Sequence, residues 1–198
     1  MVGRLFVALF FTSSLFAQDE DFLRPGLLKA SSTISVSDML ATDQSNYYLS
    51  GFLEYYLSDK FSIRGESFVH AGGTDGKSDP INNPAFIKSG ARTFFGGQYH
   101  FGKRNYDFNV GFMPGISLLN LRNVTPLNEG ETTFIIPTMA IQSGVTLYVG
   151  KYFNFFANLS YMLTPVNGIN EAAVYTEVVN ADELVISAGL GFQIQTKK

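Results

Sequence analysis

The sequence predicts an all-β fold, an eight-stranded antiparallel up-and-down transmembrane β-barrel, and three observations lead to that prediction. Eight stretches of alternating apolar and polar residues follow one another along the chain, and such period-two alternation is typical of strands with two different faces. Short turns and longer polar segments alternate strictly between these stretches. The charged residues share the polar face, so the continuous apolar face is predicted to point outward, as it does in a barrel that spans a membrane.

The clearest element is a β-hairpin that runs from Tyr47 to Val69. Its two alternating runs meet at a turn formed by residues 58–60. Side-chain direction has period two, so paired strands must keep like faces together. Centring the turn on Asp59 then sets Glu54 directly opposite Arg64 on the polar face.

The remaining strands are predicted from the same alternation. Including the hairpin, the eight runs cover approximately residues 28–37, 47–57, 61–70, 88–101, 107–118, 135–149, 153–164 and 184–194. Three connections are short, around Asp59, Lys103 and Lys151, whereas Gly72 to Pro84, Asn120 to Glu131 and Pro165 to Asp182 are predicted to be long loops. Pro114 and Pro137 fall inside strands, where a missing ladder donor predicts β-bulges.

Composition excludes several classes of protein. The 198 residues suit one domain, and a charged fraction of 16% is low for a soluble surface. The net charge of −3 argues against a nucleic-acid partner, and the absence of cysteine excludes disulfides, thiolate metal sites and a cysteine nucleophile. No run of 18 apolar residues follows the first 17 residues, so a membrane protein built from this chain would have to be a barrel.

The first 17 residues have the pattern of an export signal. Arg4 supplies a basic start, residues 5–11 an apolar core, and residues 13–17 a plausible cleavage region before an acidic stretch. We therefore expect residues 1–17 to be a signal peptide, residues 18–25 a short leader, and residues 26–198 the barrel.

The last predicted strand carries the most specific pattern in the chain. Ser187, Gly189, Phe192 and Ile194 resemble the terminal-strand signal by which the barrel-assembly machinery recognises its clients. With the strand count and the alternating connections, this motif makes the chain similar to the OmpA/OmpX-like family of small outer-membrane β-barrels over nearly its whole mature length. The resemblance implies a monomer in the cell outer membrane, with outer-membrane lipids and the barrel-assembly machinery as partners, and with leader and chain ends in the periplasm.

The inner face is predicted to hold a network of charges. A buried charge is tolerated only when it is paired and hydrogen-bonded, so the charged residues of this face should contact one another. This network is predicted to comprise Lys29, Glu54, Arg64, Glu66 and Arg92.

A second group of polar residues allows an enzymatic interpretation. Pairing Phe101 with Tyr106 at the second turn places His100 opposite Asp107, and one register brings Ser62 to the other side of His100. Serine, histidine and aspartate in a row could activate a nucleophile. The sequence offers no strained elbow and no oxyanion donors, so we expect a polar row at the periplasmic mouth, with no catalytic residue, no cofactor and no metal site.

The predicted function is a structural or surface-binding role for a barrel whose polar lumen is filled by side chains. Two alternatives stay open: a small-solute pore and a secreted lipocalin-like barrel that binds a ligand. A lipocalin has the opposite parity, with polar residues outside and apolar residues inside.

Overall fold

The computed structural model describes residues 22–40, 44–74, 85–102, 105–125, 128–167 and 178–196 and confirms the predicted fold. Eight antiparallel strands close a barrel, and two short strands form a separate ribbon above it. The predicted signal peptide, residues 1–17, and residues 18–21 of the predicted leader lie outside the described residues. The strands are β1 (Leu27–Met39), β2 (Ser45–Tyr56), β3 (Phe61–Gly73), β4 (Ala85–His100), β5 (Tyr106–Thr125), β6 (Asn128–Val149), β7 (Phe153–Leu163), β8 (Pro165–Asn167), β9 (Val178–Asn180) and β10 (Glu183–Gln195).

The barrel is closed by pairing of β1 with β10, and every other barrel strand pairs with its neighbour along the chain. Strands β8 and β9 pair with each other between β7 and β10, so the predicted loop from Pro165 to Asp182 carries its own strand extension. Among the described residues, no helix is long and apolar enough to cross a membrane.

Side-chain orientation follows the parity that the sequence predicts. Outward-facing apolar residues are strongly exposed, for example Ile135 at 74% and Ile34 at 69%. Inward-facing polar residues are buried, and both Glu54 and Arg92 are 0% exposed. The barrel therefore has an apolar exterior and a polar interior, which is the parity of a membrane barrel and the reverse of a lipocalin. The lipocalin-like alternative does not fit this structure.

The register of the opening hairpin is confirmed. Tyr55 pairs with Ile63 and Glu54 pairs with Arg64, as centring the turn on Asp59 requires. The turn closes with a hydrogen bond from the Leu57 N–H to the Phe61 carbonyl, at 2.9 Å.

The predicted register at the second turn is wrong by two residues. The Phe101 N–H donates to the Phe108 carbonyl at 2.8 Å, and His100 pairs with Asn109 instead of Asp107. A shift of two residues leaves each side chain on its original face, so His100 and Asp107 still point into the lumen.

Two further expectations are corrected on β5 and β6. The segment predicted as a loop from Asn120 to Glu131 is mostly strand, because β5 and β6 stay paired out to Thr125 and Asn128. Their register is continuous through Pro114 and Pro137, so neither proline causes a bulge there. Strand β7 pairs with β6 only from Met139 onward, so Pro137 is not required to donate a backbone hydrogen bond to β7. The register shifts lie elsewhere, in β2 at Tyr47/Tyr48 and in β4 at Ile87/Ser89.

Candidate functional site

The lumen is the candidate site, and apolar layers cover its polar centre at both ends. At the rim of the short turns, the buried apolar layer consists of Leu23, Leu27, Tyr56 and Tyr148, with Phe22 packed against it. At the rim of the long connections, it consists of Met39, Ile87, Leu119, Ile136 and Ala181, with Phe134 packed against it. Between these layers the charged and polar side chains form three clusters.

The short-turn cluster is organised around Glu54. Its Oε2 lies 3.1 Å from Lys29 Nζ, and its Oε1 accepts a hydrogen bond from Ser62 Oγ at 2.6 Å and lies 3.1 Å from His100 Nε2. Asp107 completes the cluster, with its Oδ2 2.7 Å from His100 Nδ1. Five neighbouring strands of the barrel, β1 to β5, thus contribute side chains to this one buried cluster.

Two tyrosines form the floor of this cluster. The Tyr56 hydroxyl donates to Asp107 Oδ2 at 2.9 Å and lies 3.2 Å from the Tyr148 hydroxyl. Lys29 Nζ sits 5.0 Å from the ring centroid of Tyr56 and 5.8 Å from that of Tyr148, within the range of a cation–π contact. Below them, Phe22 stacks on Tyr148 with ring centroids 5.1 Å apart, so the end of the leader covers the mouth.

The central cluster is built on Arg64 and Glu66. Arg64 Nε and Nη2 each lie 3.0 Å from Glu66 Oε2, whereas Arg64 Nη1 is 3.7 Å from Glu54 Oε2. The guanidinium also lies 3.6 Å from the ring centroid of Phe52, and Gln142 Nε2 donates to Glu66 Oε2 at 2.9 Å. The predicted partner of Glu54 is therefore within reach of it, but Arg64 is hydrogen-bonded to Glu66. Glu54 has nearer charged neighbours in Lys29 and His100.

The long-loop cluster contains a carboxylate that the sequence interpretation missed. Glu183 Oε2 lies 2.6 Å from Arg92 Nη2 and accepts from the Tyr48 hydroxyl at 2.8 Å. Glu183 Oε1 accepts from Asn46 Nδ2 at 2.6 Å and from Ser37 Oγ at 2.7 Å. Strand parity could have revealed this residue, because an outward Leu184 requires its neighbour Glu183 to point inward.

The charges of the lumen nearly balance. Three lysine or arginine side chains face four carboxylates among the described inward residues, namely Lys29, Arg64 and Arg92 against Glu54, Glu66, Asp107 and Glu183. His100 contacts two of those carboxylates through its two ring nitrogens. A proton on His100 would bring the formal charge of these residues to zero.

The structure brings the predicted polar row together. Ser62 Oγ lies 2.8 Å from His100 Nε2, and His100 Nδ1 lies 2.7 Å from Asp107 Oδ2. These are the contacts of a Ser-His-Asp arrangement. Its Ser62 Oγ, however, donates to Glu54, and all three side chains are at most 2% exposed. Within the same residues no group of three or more His, Asp or Glu side chains is arranged to hold a metal ion.

The residues of the predicted assembly motif lie on the closing strand β10. Ser187 and Gly189 face the lumen, where Ser187 Oγ lies 2.6 Å from Ser35 Oγ, while Phe192 and Ile194 face outward. The motif thus has one face toward the lumen and one face toward the exterior of the barrel. Recognition by the assembly machinery stays a prediction.

No known family model matches the chain, and neither does any curated protein. Solved structures do match. One is the outer membrane protein OprG from Pseudomonas aeruginosa, with a TM-score of 0.60 and 14% identity over 87% of this chain and 98% of that one. Another is the outer membrane protein AlkL, with a TM-score of 0.58 and 16% identity over 92% of this chain and 97% of that one. The N-terminal β-barrel domain of Pseudomonas aeruginosa OprF matches with a TM-score of 0.54 and 14% identity over 88% of this chain and 100% of that one.

The chain has the fold of the small outer-membrane β-barrels. The resemblance predicted from its strand pattern is confirmed at this level. In a small outer-membrane barrel of eight strands, the interior is just wide enough for side chains to fill. The three clusters, the two rim layers and a third buried apolar group fill this one; that group consists of Tyr48, Phe68, Phe94, Met113, Ala140, Met162 and Val185.

Proposed function

We propose that this protein is an integral outer-membrane barrel with a structural or surface-binding role, that both its chain ends lie in the periplasm, and that it catalyses no reaction. The observation that carries the proposal is the closed polar core inside an apolar exterior. Buried ion pairs such as Arg92–Glu183 fill the space that a pore or a ligand cavity would need. Outer-membrane lipids and the barrel-assembly machinery are the proposed partners, and a monomer is the proposed state.

The β5–β6 hairpin supports a surface-binding role. Strand β6 pairs with β7 only from Met139 onward, although its pairing with β5 begins at Asn128. Residues 128–138 of β6 therefore extend past the end of β7 on the rim of the long connections. A projecting strand edge of this kind offers backbone groups for contact with another molecule.

The proposed orientation can be tested by labelling single cysteines, because the natural chain has none. Thr133→Cys lies exposed on the projecting hairpin and Asp59→Cys lies exposed on a short turn. A membrane-impermeant maleimide added to intact cells should label Thr133→Cys and spare Asp59→Cys, and both should react once the outer membrane is permeabilised. Labelling of Asp59→Cys alone in intact cells would invert the orientation. Equal labelling of both in a soluble fraction would contradict the membrane location.

The non-catalytic part of the proposal rests on the hydrogen bonds of Ser62. A nucleophile needs an accessible hydroxyl and donors for a developing oxyanion, whereas this hydroxyl is 2% exposed and donates to a carboxylate. Incubation of the folded barrel with a fluorophosphonate probe should leave Ser62 unmodified, as judged by intact mass. Stoichiometric modification that is lost in Ser62→Ala would show a reactive serine and contradict the proposal.

A further inference from the structure

The seam at which the barrel closes is interrupted. Strands β1 and β10 pair at Ser31 with Gly191 and again at Ser35 with Ser187, in one continuous register. No pair is formed between these two points, where residues 32–34 face residues 188–190. The two strands that close the barrel are therefore separated over three consecutive positions near its middle.

Side-chain hydroxyls replace the missing ladder bonds. Thr33 Oγ1 donates to the Ala188 carbonyl at 2.6 Å, and Ser31 Oγ donates to the Leu190 carbonyl at 3.3 Å. Backbone carbonyls without a ladder partner need another donor, and these hydroxyls supply one where no β1–β10 pair is formed. A Cβ atom at Gly189 would lie 3.0 Å from Thr33 Oγ1, so glycine leaves room for this arrangement.

A groove of about 320 Å³ opens on the outer surface beside this gap. That volume is at the lower end of the range for small-ligand pockets, roughly 300 to 1,000 Å³. Its walls are outward-facing apolar side chains, and its floor reaches the inward-facing positions of the seam. The lining residues are Ala30, Ser31, Ser32, Phe153, Leu190, Gly191 and Phe192.

The foot of the groove lies at the rim of the short turns, between aromatic rings and two exposed cations. The ring of Tyr152 stacks on that of Phe192 at 6.1 Å, and Lys151 Nζ lies 5.4 Å from the centroid of the Tyr152 ring. On the other side of β10, Arg24 Nε donates to Gln195 Oε1 at 2.9 Å. Both cations are exposed and bracket the end of β10.

We propose that this groove binds one anionic glycerophospholipid, with an acyl chain in the slot beside the seam and its phosphate near Lys151 and Arg24. This inference rests on the proposed membrane location. In a bilayer the groove faces acyl chains, and an empty slot would forfeit the contacts that a chain provides. Basic side chains at a membrane surface attract anionic head groups. A second copy of the barrel fits less well, because a convex barrel wall cannot enter a concave slot.

Native mass spectrometry of the purified barrel in detergent, with dioleoyl phosphatidylglycerol or dioleoyl phosphatidylcholine added, tests the site. The wild type should retain one phosphatidylglycerol and several-fold less phosphatidylcholine.

Ala30→Phe fills the groove and should lower the retained phosphatidylglycerol at least fivefold. Ala91→Phe is the matched control, because Ala91 is an equally half-buried, outward-facing alanine on β4, and it should retain lipid as the wild type does. Replacing Lys151 and Arg24 with Gln should abolish the preference for phosphatidylglycerol.

Equal retention by wild type and Ala30→Phe would overturn the site, as would a dimer that Ala30→Phe disrupts.

If Ala30→Phe does not fold, tryptophan fluorescence replaces the retention measurement, because the natural chain has no tryptophan. Brominated phosphatidylglycerol should quench Phe153→Trp in the groove more strongly than Phe95→Trp on the opposite wall, and equal quenching would overturn the proposal. A barrel that enters membranes without retaining lipid contradicts the seam site alone. A barrel that stays soluble without detergent contradicts the proposed function.

Discussion

Replacing Glu183 with alanine is expected to destabilise the barrel by about 3 to 5 kcal/mol, because it leaves the buried Arg92 guanidinium without its carboxylate. The two side chains are 0% exposed and 2.6 Å apart. The same change removes the acceptor of the Tyr48 hydroxyl and of the Asn46 amide. The Ser37 hydroxyl also donates to Glu183, so one cation and three polar groups lose their partner in the lumen.

Urea unfolding of barrels refolded in detergent measures this effect. Arg92→Met combined with Glu183→Leu removes both charges and should be clearly more stable than Glu183→Ala, since an apolar pair of similar volume can replace a buried ion pair. Asp59→Ala, which removes an exposed carboxylate from a short turn, is the control and should change stability by less than about 0.5 kcal/mol. A Glu183→Ala barrel as stable as this control would mean that the two charges do not meet.

Arg64→Ala should have the second large effect, also about 3 to 5 kcal/mol, because two carboxylates lose their shared cation. The distances predict which carboxylate depends on it more. Glu66 is bonded to Arg64 at 3.0 Å through two nitrogens, while Glu54 is 3.7 Å away and has Lys29 as a nearer partner.

Double-mutant cycles separate these two contacts. The coupling energy of Arg64 with Glu66 should exceed that of Arg64 with Glu54, and both should exceed the roughly 0.5 kcal/mol expected between independent sites. Each cycle uses alanine substitutions and the same urea measurement. A larger coupling between Arg64 and Glu54 would reverse the order of contacts described for the central cluster.

The fold was predictable because strand side chains alternate with a period of two, and the faces can be read without knowing which strands meet. The tight turn at Asp59 also fixed the pairing of Glu54 with Arg64. Between β4 and β5 the alternation fits pairings that differ by two residues equally well, and the prediction there was off by two residues. His100 and Asp107 nevertheless meet, since a two-residue shift preserves the face of each side chain.

The missed features depend on closure of the barrel. Parity could place Glu183 inside, but only the curvature of the closed sheet brings it to Arg92, since their strands are not adjacent. Closure likewise brings Lys29 Nζ on β1 to 3.9 Å from Asp107 Oδ2 on β5, although these two strands are not adjacent in the barrel. The interruption of the β1–β10 seam could not be predicted from the alternation of polar and apolar residues, because Thr33 and Ser31 fit a regular strand equally well.

Recording the conductance of the purified wild-type barrel in planar bilayers shows whether side chains close the lumen. An eight-stranded barrel has little interior space, and here apolar layers at both rims enclose three hydrogen-bonded clusters. We expect a protein that inserts into the bilayer and conducts only in rare, brief and small events. Large, long-lived openings of the wild-type protein would contradict the closed lumen and favour a small-solute pore.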